Sequence, residues 1–322
     1  MIEFERVVKE FPGGLRAVDE LDLTIEAGEI SVLIGPSGCG KTTSMRLVNR
    51  LIPLTSGRIN VEGRDNREFA PEDLRRKIGY AIQQIGLFPH MTVRQNVEVV
   101  PRLLGWEEER IRKRVDYLLE LVGLDPDTNR DKYPRQLSGG QQQRVGVARA
   151  LGADPPIMLM DEPFGAVDPI TRSTLQDEFL QIQKTIAKTV VFVTHDIDEA
   201  IKMGDRVAIM REGKLVQQGT PDTLLAQPAD DFVRAFVGGD RELKRLGLIR
   251  VRDVMVPADD ADLDLSEHTV PANASVRDAL SALVGRGFAA TPVLDDEGRV
   301  SGVITLRTLR AVVARSGEEP EP

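Results

Sequence analysis

The run Gly35-Pro36-Ser37-Gly38-Cys39-Gly40-Lys41-Thr42-Thr43 has the spacing of a phosphate-binding loop. Glycines there let backbone N–H groups converge on an anion at the N-terminus of the helix that follows. Lys41 would reach the β- and γ-phosphates of a nucleotide, and Thr42 would set its hydroxyl on Mg2+. Further on, the apolar run Ile157-Met158-Leu159-Met160 ends in Asp161-Glu162. A carboxylate at the end of a buried strand can hold Mg2+ through water, which suits Asp161. Glu162 is then placed to orient or deprotonate an attacking water. Alone, that pair would read as two solvated acids at a strand end; the glycine loop upstream reverses the preference. Leu137-Ser138-Gly139-Gly140-Gln141 stands before a good helix over 142–150. Ser138 is a natural N-cap, and the two glycines expose N–H groups for a second anion contact. A simple capped helix is the other reading of the same five residues. Gln83 lies between the glycine loop and this pentapeptide. His195 directly follows an apolar strand, where it could donate to a γ-phosphate.

These groups need elements to hold them. Residues 2–5 and 21–25 alternate apolar and polar, as half-buried strands do. Residues 26–29 read as a turn and 30–34 as a short, mostly apolar strand. The glycine loop then opens a helix running to about residue 52 and stopping at Pro53, the strand–loop–helix context that a phosphate loop requires. Residues 93–135 read as mainly helical. Within them, 106–122 carries charges on one face and Ile111, Val115, Leu118, Leu119 and Val122 on the other. Asp168-Pro169 caps a long helix to about residue 187, with proline at its first position. A buried strand at 189–194 and a helix at 196–203 come next. Strands 207–210 and 215–218 form a hairpin over Arg211-Glu212-Gly213-Lys214. Continuous apolar strands separated by a helix argue for a parallel α/β core.

The character changes near Gly238-Gly239-Asp240. Residues 239–248, with the charged Arg241-Glu242-Leu243-Lys244-Arg245, read as a linker between a first domain, 1–238, and a small α+β unit, 249–316. That unit reads as a strand at 269–270, a helix at 276–284 and a strand at 291–294. A turn at Asp295-Asp296-Glu297-Gly298, a strand at 299–304 and a helix at 306–314 complete it. The acidic tail, 317–322, reads as disordered.

With 322 residues the chain is long enough for one large domain and a smaller one. The net charge of -9, without a long basic stretch, argues against a nucleic-acid-binding surface. No apolar stretch approaches the roughly 18–20 residues that span a bilayer. Met1-Ile2-Glu3-Phe4-Glu5-Arg6 does not have the pattern of a signal peptide. Cys39 is the sole cysteine, a small filler with no disulfide partner. His90 and His268 lack the strand-end context of His195 and read as structural or solvated. The expectation is a cytosolic protein, free to dock on a membrane protein from that side.

In this order the motifs make residues 1–238 resemble the nucleotide-binding subunit of an ABC transporter. Leu137-Ser138-Gly139-Gly140-Gln141 matches the signature motif that defines that family. The resemblance implies the P-loop NTPase fold with a mixed sheet and a helical subdomain. ATP would be bound by Gly35, Ser37, Gly38, Cys39, Gly40, Lys41, Thr42 and Thr43, with Phe11 stacking on adenine where many relatives have tyrosine. The signature motif, Ser138 and Gly140 with Gly139 and Gln141, would meet the γ-phosphate of ATP held by a second copy, giving two sites in a head-to-tail homodimer. Thr42, Asp161 and Gln83 would attend Mg2+, and Gln83 would sense the permease. Glu162 matches the catalytic glutamate, His195 the switch histidine, and Asp168, in Gly165-Ala166-Val167-Asp168, the D-loop. Transmembrane permease subunits would dock near Gln83 and the helical segment after it, with a substrate-binding protein acting indirectly.

The segment Arg75-Arg76-Lys77-Ile78-Gly79-Tyr80-Ala81-Ile82-Gln83-Gln84-Ile85-Gly86-Leu87-Phe88-Pro89-His90 resembles the osmoprotectant importers for glycine betaine, carnitine or choline. Asp168-Pro169-Ile170-Thr171-Arg172 fits the same group. The C-terminal unit is similar to a CBS domain through Val251-Arg252-Asp253-Val254-Met255, the run 271–276 and Gly302-Val303-Ile304-Thr305. Such subunits often carry two CBS domains. Here there is one, so pairing would occur between the two chains of the dimer. Thr308 stands where nucleotide-binding CBS domains hold a ribose with aspartate, which speaks against AMP or ATP and leaves cyclic di-AMP. Regulation and a purely structural dimer contact both remain open. The resemblance implies an ATPase powering import of a quaternary-amine solute. Importers of another substrate, such as an amino acid, and a soluble non-transport ABC ATPase are the alternatives. The acidic loop Asp259-Asp260-Ala261-Asp262-Leu263-Asp264 could respond to ionic strength by screening, although solvated acids are the plainer reading.

Overall fold

The computed structural model describes residues 1–81, 86–165, 167–257, 269–286 and 290–315. Gln83, Ala166, His268, the acidic loop and the acidic tail lie outside the described residues. The chain divides into two compact units, Met1–Pro221 and Asp222–Pro322.

The first unit opens with β1 (Ile2–Glu10) and β2 (Arg16–Ile25), followed by β3 (Ile30–Ile34), α1 (Lys41–Val48), β4 (Ser56–Val61) and β5 (Arg64–Asp65). Next come α2 (Pro71–Arg76), β6 (Ile78–Ala81), α3 (Val93–Leu103), α4 (Glu108–Leu121), α5 (Pro126–Asn129) and α6 (Gly139–Ala150). It closes with β7 (Ile157–Asp161), α7 (Pro169–Ile186), β8 (Thr189–Val193), α8 (Ile197–Met203), β9 (Arg206–Arg211) and β10 (Lys214–Gly219). Two sheets result. One is antiparallel in the order β2-β1-β4-β5, and the other runs β10-β9-β3-β8-β7-β6. In the larger sheet β9, β3, β8, β7 and β6 are mutually parallel, and β10 adds an antiparallel edge.

The sequence accounts for this arrangement. Strands β3, β7 and β8 are apolar nearly throughout and buried at every position, as parallel strands covered on both faces must be. In β1 only part of the residues, Ile2, Phe4 and Val7 among them, face the core, so one face of the smaller sheet is wet. Met45, Leu47 and Val48 of α1 share one core with Val7, Leu21, Ile25 and Ile59 of the smaller sheet and Leu33, Leu159, Val191 and Met210 of the larger one. Each such side chain, fully buried, contributes about 1.5–3 kcal/mol. Helix α1 is therefore gripped by both sheets, and so is the glycine loop that leads into it. It ends at Val48, earlier than the expected residue 52, with Asn49 as its C-cap. Helix α4 buries Ile111, Val115, Leu118 and Leu119, the face read from its periodicity.

The second unit contains α9 (Pro221–Ala226), which starts at the boundary, then α10 (Asp231–Val237), α11 (Arg241–Leu248) and β11 (Val270–Pro271). Helix α12 (Val276–Arg286), β12 (Ala290–Leu294), β13 (Val300–Thr305) and α13 (Leu306–Arg315) follow. Strand β11 pairs parallel with β12, and β12 antiparallel with β13. Most of the segment read as a linker is the helix α11. Its Leu246 is buried with Val251, Val276, Leu283, Val293 and Ile304, and its Arg245 bonds Asp222 at 2.8 Å.

Candidate active site

The C-terminal ends of three adjacent strands, β3, β8 and β7, bring together Lys41, Thr42, Asp161, Glu162 and His195 among the residues singled out in the sequence. From β3 the chain enters the glycine loop. At Gly40 φ is 106°, and a Cβ there would collide with the Ala17 carbonyl; at Gly35 it would collide with the Met210 carbonyl. The loop is thus seated on β2 and β9 at positions where only glycine fits. Ser37 and Gly38 lie exposed, whereas Cys39 is buried as a filler beside Lys41, its Sγ 3.7 Å from Nζ. The Lys41 ammonium donates to the carbonyls of Gly35 at 2.8 Å and Pro36 at 3.0 Å. Thr43, partly buried, follows Thr42 in the first turn of α1.

Thr42 donates its hydroxyl to Asp161 Oδ1 at 3.0 Å. Burial pushes the Asp161 carboxyl above its usual range, while the Thr42 hydroxyl and the charges of Arg46 and Lys41 pull the other way. Burial and the Asp161 charge likewise raise the Tyr80 phenol. A hydroxyl and a buried carboxylate within hydrogen-bond reach of each other form a hard oxygen pair of the kind Mg2+ takes when phosphates and waters supply the rest. A divalent charge there would stabilise the ionised Asp161 that burial disfavours.

Glu162 turns out of β7 with φ at 45°, in the left-handed region. That conformation costs about 1 kcal/mol or more in a non-glycine residue. It is held by the Glu162 N–H donating to Val193 O at 2.9 Å and the Gly165 N–H donating to Glu162 O at 3.1 Å. The Glu162 Oε1 lies 3.3 Å from His195 Nδ1. The Thr194 N–H donates to Leu33 O at 3.2 Å, tying the His195 turn to β3.

Two further motifs are helix starts. The Ser138 Oγ accepts from Gln141 N–H at 3.3 Å, and the Gln141 Oε1 accepts from Ser138 N–H at 3.0 Å, a reciprocal cap of α6. Ser138 and Gly139 are exposed, and Gly140 and Gln141 partly so. Asp168 caps α7 by accepting from Thr171 N–H at 3.0 Å, and that bond is the main cause holding its carboxyl below the usual range. From α6, Gln143 donates to the carbonyl of Pro163, next to Glu162. No motif marks Gln143 or Arg46, and Tyr80 stands in the importer-like segment without a role of its own.

Comparisons with known proteins decide the family. A family profile described as ABC transporter matches residues 18–165, and one described as CBS domain matches residues 251–315. The glycine betaine/carnitine/choline transport ATP-binding protein OpuCA of Bacillus subtilis is 43% identical, covering 97% of this chain and 96% of the relative. The osmoprotectant import ATP-binding protein OsmV of Salmonella typhimurium is 46% identical over 96% of this chain and 80% of the relative. The glycine betaine uptake system ATP-binding protein YehX of Escherichia coli is 46% identical over 96% and 99%. The chain belongs to the ATP-binding subunits of ABC transporters. It is an ATPase of that family, carrying a CBS domain. A dimeric ATP-binding cassette solved in a post-hydrolysis state bound to ADP and Pi matches with a TM-score of 0.61 and 33% identity. The match covers 68% of this chain and 98% of that one.

Two other sequence candidates of this ABC subunit can be placed. Phe11, partly exposed, stands just beyond β1, and its ring carries the Lys9 ammonium 4.9 Å from its centroid. In the CBS domain Thr308 stands in the first turn of α13 and pairs reciprocally with Thr305, which caps that helix. The Thr308 N–H donates to Thr305 Oγ1 at 3.0 Å, and its Oγ1 accepts from Thr305 N–H at 2.9 Å. No helix among the described residues is long and apolar enough to cross a membrane.

Proposed function

We propose that this chain powers import of a quaternary-amine compatible solute, glycine betaine, carnitine or choline, through a membrane permease, at the cytoplasmic face and as a head-to-tail pair. The carrying observation is the juxtaposition of Lys41, the Thr42–Asp161 pair and the Glu162–His195 pair at the ends of β3, β7 and β8. The relatives of near-equal length that share this cassette are named for those solutes.

Residues 1–238 act as the ATPase, and 249–316 as a CBS unit joined through 239–248. The loop amides and Lys41 bind the phosphates, and Phe11 stacks on adenine. Thr42, Asp161 and Gln83 would hold Mg2+, which would supply positive charge against the phosphates. Glu162 orients the attacking water and takes its proton, and His195 donates to the γ-phosphate. Ser138 and Gly140 reach the nucleotide of the second copy, which fits their exposure, and Asp168 stands at the same interface. The alternative in which Leu137-Ser138-Gly139-Gly140-Gln141 is only a capped helix is answered by the mixed-dimer experiment below. A groove of about 450 Å3 lined by Arg75, Arg76, Tyr80, Phe88, Val100 and Arg149 supports permease docking on the face that β6 and α3 share. The CBS domain pairs with its counterpart and takes cyclic di-AMP, and a substrate-binding protein delivers the solute to the permease.

The test is uptake of labelled glycine betaine, carnitine and choline by vesicles holding the reconstituted permease, with this chain supplied on the cytoplasmic side. Uptake that requires the chain and ATP is expected, and import of an amino acid but none of the three amines would contradict the reading. Titrating the full chain with cyclic di-AMP, with AMP as control, should show saturation at one ligand per two chains. Absence of binding would leave the CBS domain a dimer contact.

A further inference from the structure

Behind the His195 turn lies a buried polar contact that the chemistry above does not use. Glu199 of α8 is 8% exposed and Gln176 of α7 is 6% exposed. Gln176 Nε2 donates to Glu199 Oε1 at 3.0 Å. The hydroxyl of Thr194, itself 1% exposed, faces the Glu199 carboxyl and favours its charged form. Thr194 Oγ1 accepts from the Asp196 N–H at 3.1 Å, and Asp196 Oδ1 accepts from the Glu199 N–H at 3.2 Å, so the two residues bracketing His195 are tied to each other and to the start of α8. One turn before Gln176, and on the same face of α7, Arg172 donates to the Val167 carbonyl at 2.9 Å and lies 3.9 Å from Asp196. Helix α7 therefore holds the residue preceding Asp168 with one side chain and the His195 turn with another.

Stability gives little reason to keep such a group. Burial raises the Glu199 carboxyl above its usual range, and a well-packed apolar pair of similar volume is often as stable or more so. What the polar contact supplies is direction, because a hydrogen bond between α7 and α8 fixes the orientation of a turn that apolar packing would let slide.

We propose that Glu199 is a positioning residue for ATP hydrolysis. Through Gln176 it fixes α8, and with it the His195 turn, relative to the helix that starts at Asp168, without touching nucleotide. The inference rests on the reading of His195 as a group at the γ-phosphate.

The test uses the full-length ATPase and measures kcat, KM and ATP affinity for Glu199→Ala, Gln176→Ala and Glu199→Gln, alone and with His195→Ala. Glu199→Ala should lower kcat about tenfold or more with ATP affinity held within about threefold, as a misplaced catalytic group does. Glu199→Gln, which keeps the shape and the acceptor for Gln176, should recover most of that loss. In the His195→Ala background, adding Glu199→Ala should change kcat by less than about twofold, because residues acting as one unit are not additive. An equal loss in both backgrounds would overturn the proposal, since a merely structural role is additive. If Glu199→Ala does not fold, Gln176→Ala carries the same comparison, and a parental kcat there would overturn the proposal. Full activity of Glu199→Ala beside an impaired His195→Ala would defeat this inference alone. Full activity of His195→Ala would defeat the site reading and this route with it.

Discussion

Replacing Ser138 by alanine separates two roles that one side chain can hold. Its Oγ accepts from the Gln141 N–H at 3.3 Å, while the return bond, from the Ser138 N–H to Gln141 Oε1 at 3.0 Å, uses the backbone and survives the substitution. Losing one cap bond at an exposed helix end costs about 1 kcal/mol. For a unit spanning Met1–Pro221 that lowers the melting temperature by about 2–4 °C. A helix cap alone would leave turnover at the parental rate. A donor to the γ-phosphate of ATP on the second copy would instead take turnover down by about 10²–10³, the scale of removing one preorganised donor to developing negative charge. Mixing Ser138→Ala with Glu162→Gln chains decides between these. Each variant is impaired as a homodimer, but a mixed dimer has one site combining the intact Glu162 of one chain with the intact Ser138 of the other. Random pairing at equal amounts restores roughly a quarter of the parental sites. ATPase activity is read across mixing ratios, with melting curves as the stability control. A mixture no more active than its components would refute the arrangement in trans. Parental turnover of the Ser138→Ala homodimer would refute any role beyond the cap.

Lys41→Ala removes the ammonium seated over the loop and should weaken ATP binding by about 1.5–3 kcal/mol, or roughly 10- to 150-fold. Unchanged affinity in a nucleotide-displacement titration would contradict the phosphate-loop assignment. Phe11→Ala should cost about 1–3 kcal/mol of ATP affinity and Phe11→Tyr almost none, since stacking needs only the ring; equal affinities of the two variants would contradict it. Glu199→Gln should alter the pH dependence of stability. The folded carboxyl sits above its ordinary range, and the charged groups that bear on it are Asp196, which raises it, and Arg172, which lowers it. Its stability contribution is complete below the ordinary pKa of about 4.3 and is lost as pH rises through the raised folded value. Denaturant unfolding should therefore show the variant gaining on the parent with rising pH, and parallel profiles would contradict the assignment.

Much of the cassette core is legible in the sequence because its signals are local. Continuous apolar runs reveal β3, β7 and β8, and the glycine loop announces α1. Strand β6 has only Ile78-Gly79-Tyr80-Ala81, too short for a period, and exists by pairing with β7. Strand β4 is interrupted by Gly57 and Arg58, and its partner β1 lies far away in sequence. Helix α11 reads as a charged linker because its main buried apolar contact, Leu246, stands among arginines and lysines. Among the site residues, those in motifs are legible. Gln176 and Glu199 are not, because a polar residue on a buried helix face looks like an exposed one until its partner, 23 residues away, is brought alongside.

On the proposed reading Glu162, held out of β7 beside His195, is the base of an ATP site closed by two chains. The most direct measurement is the behaviour of Glu162→Gln with ATP and Mg2+, its mass followed by light scattering and its turnover in the same samples. A stable ATP-dependent dimer holding two nucleotides is expected, with turnover lowered by about 10²–10⁴, the contribution of a positioned general base. Hydrolysis at the parental rate, or a variant that binds ATP and stays monomeric, would contradict it.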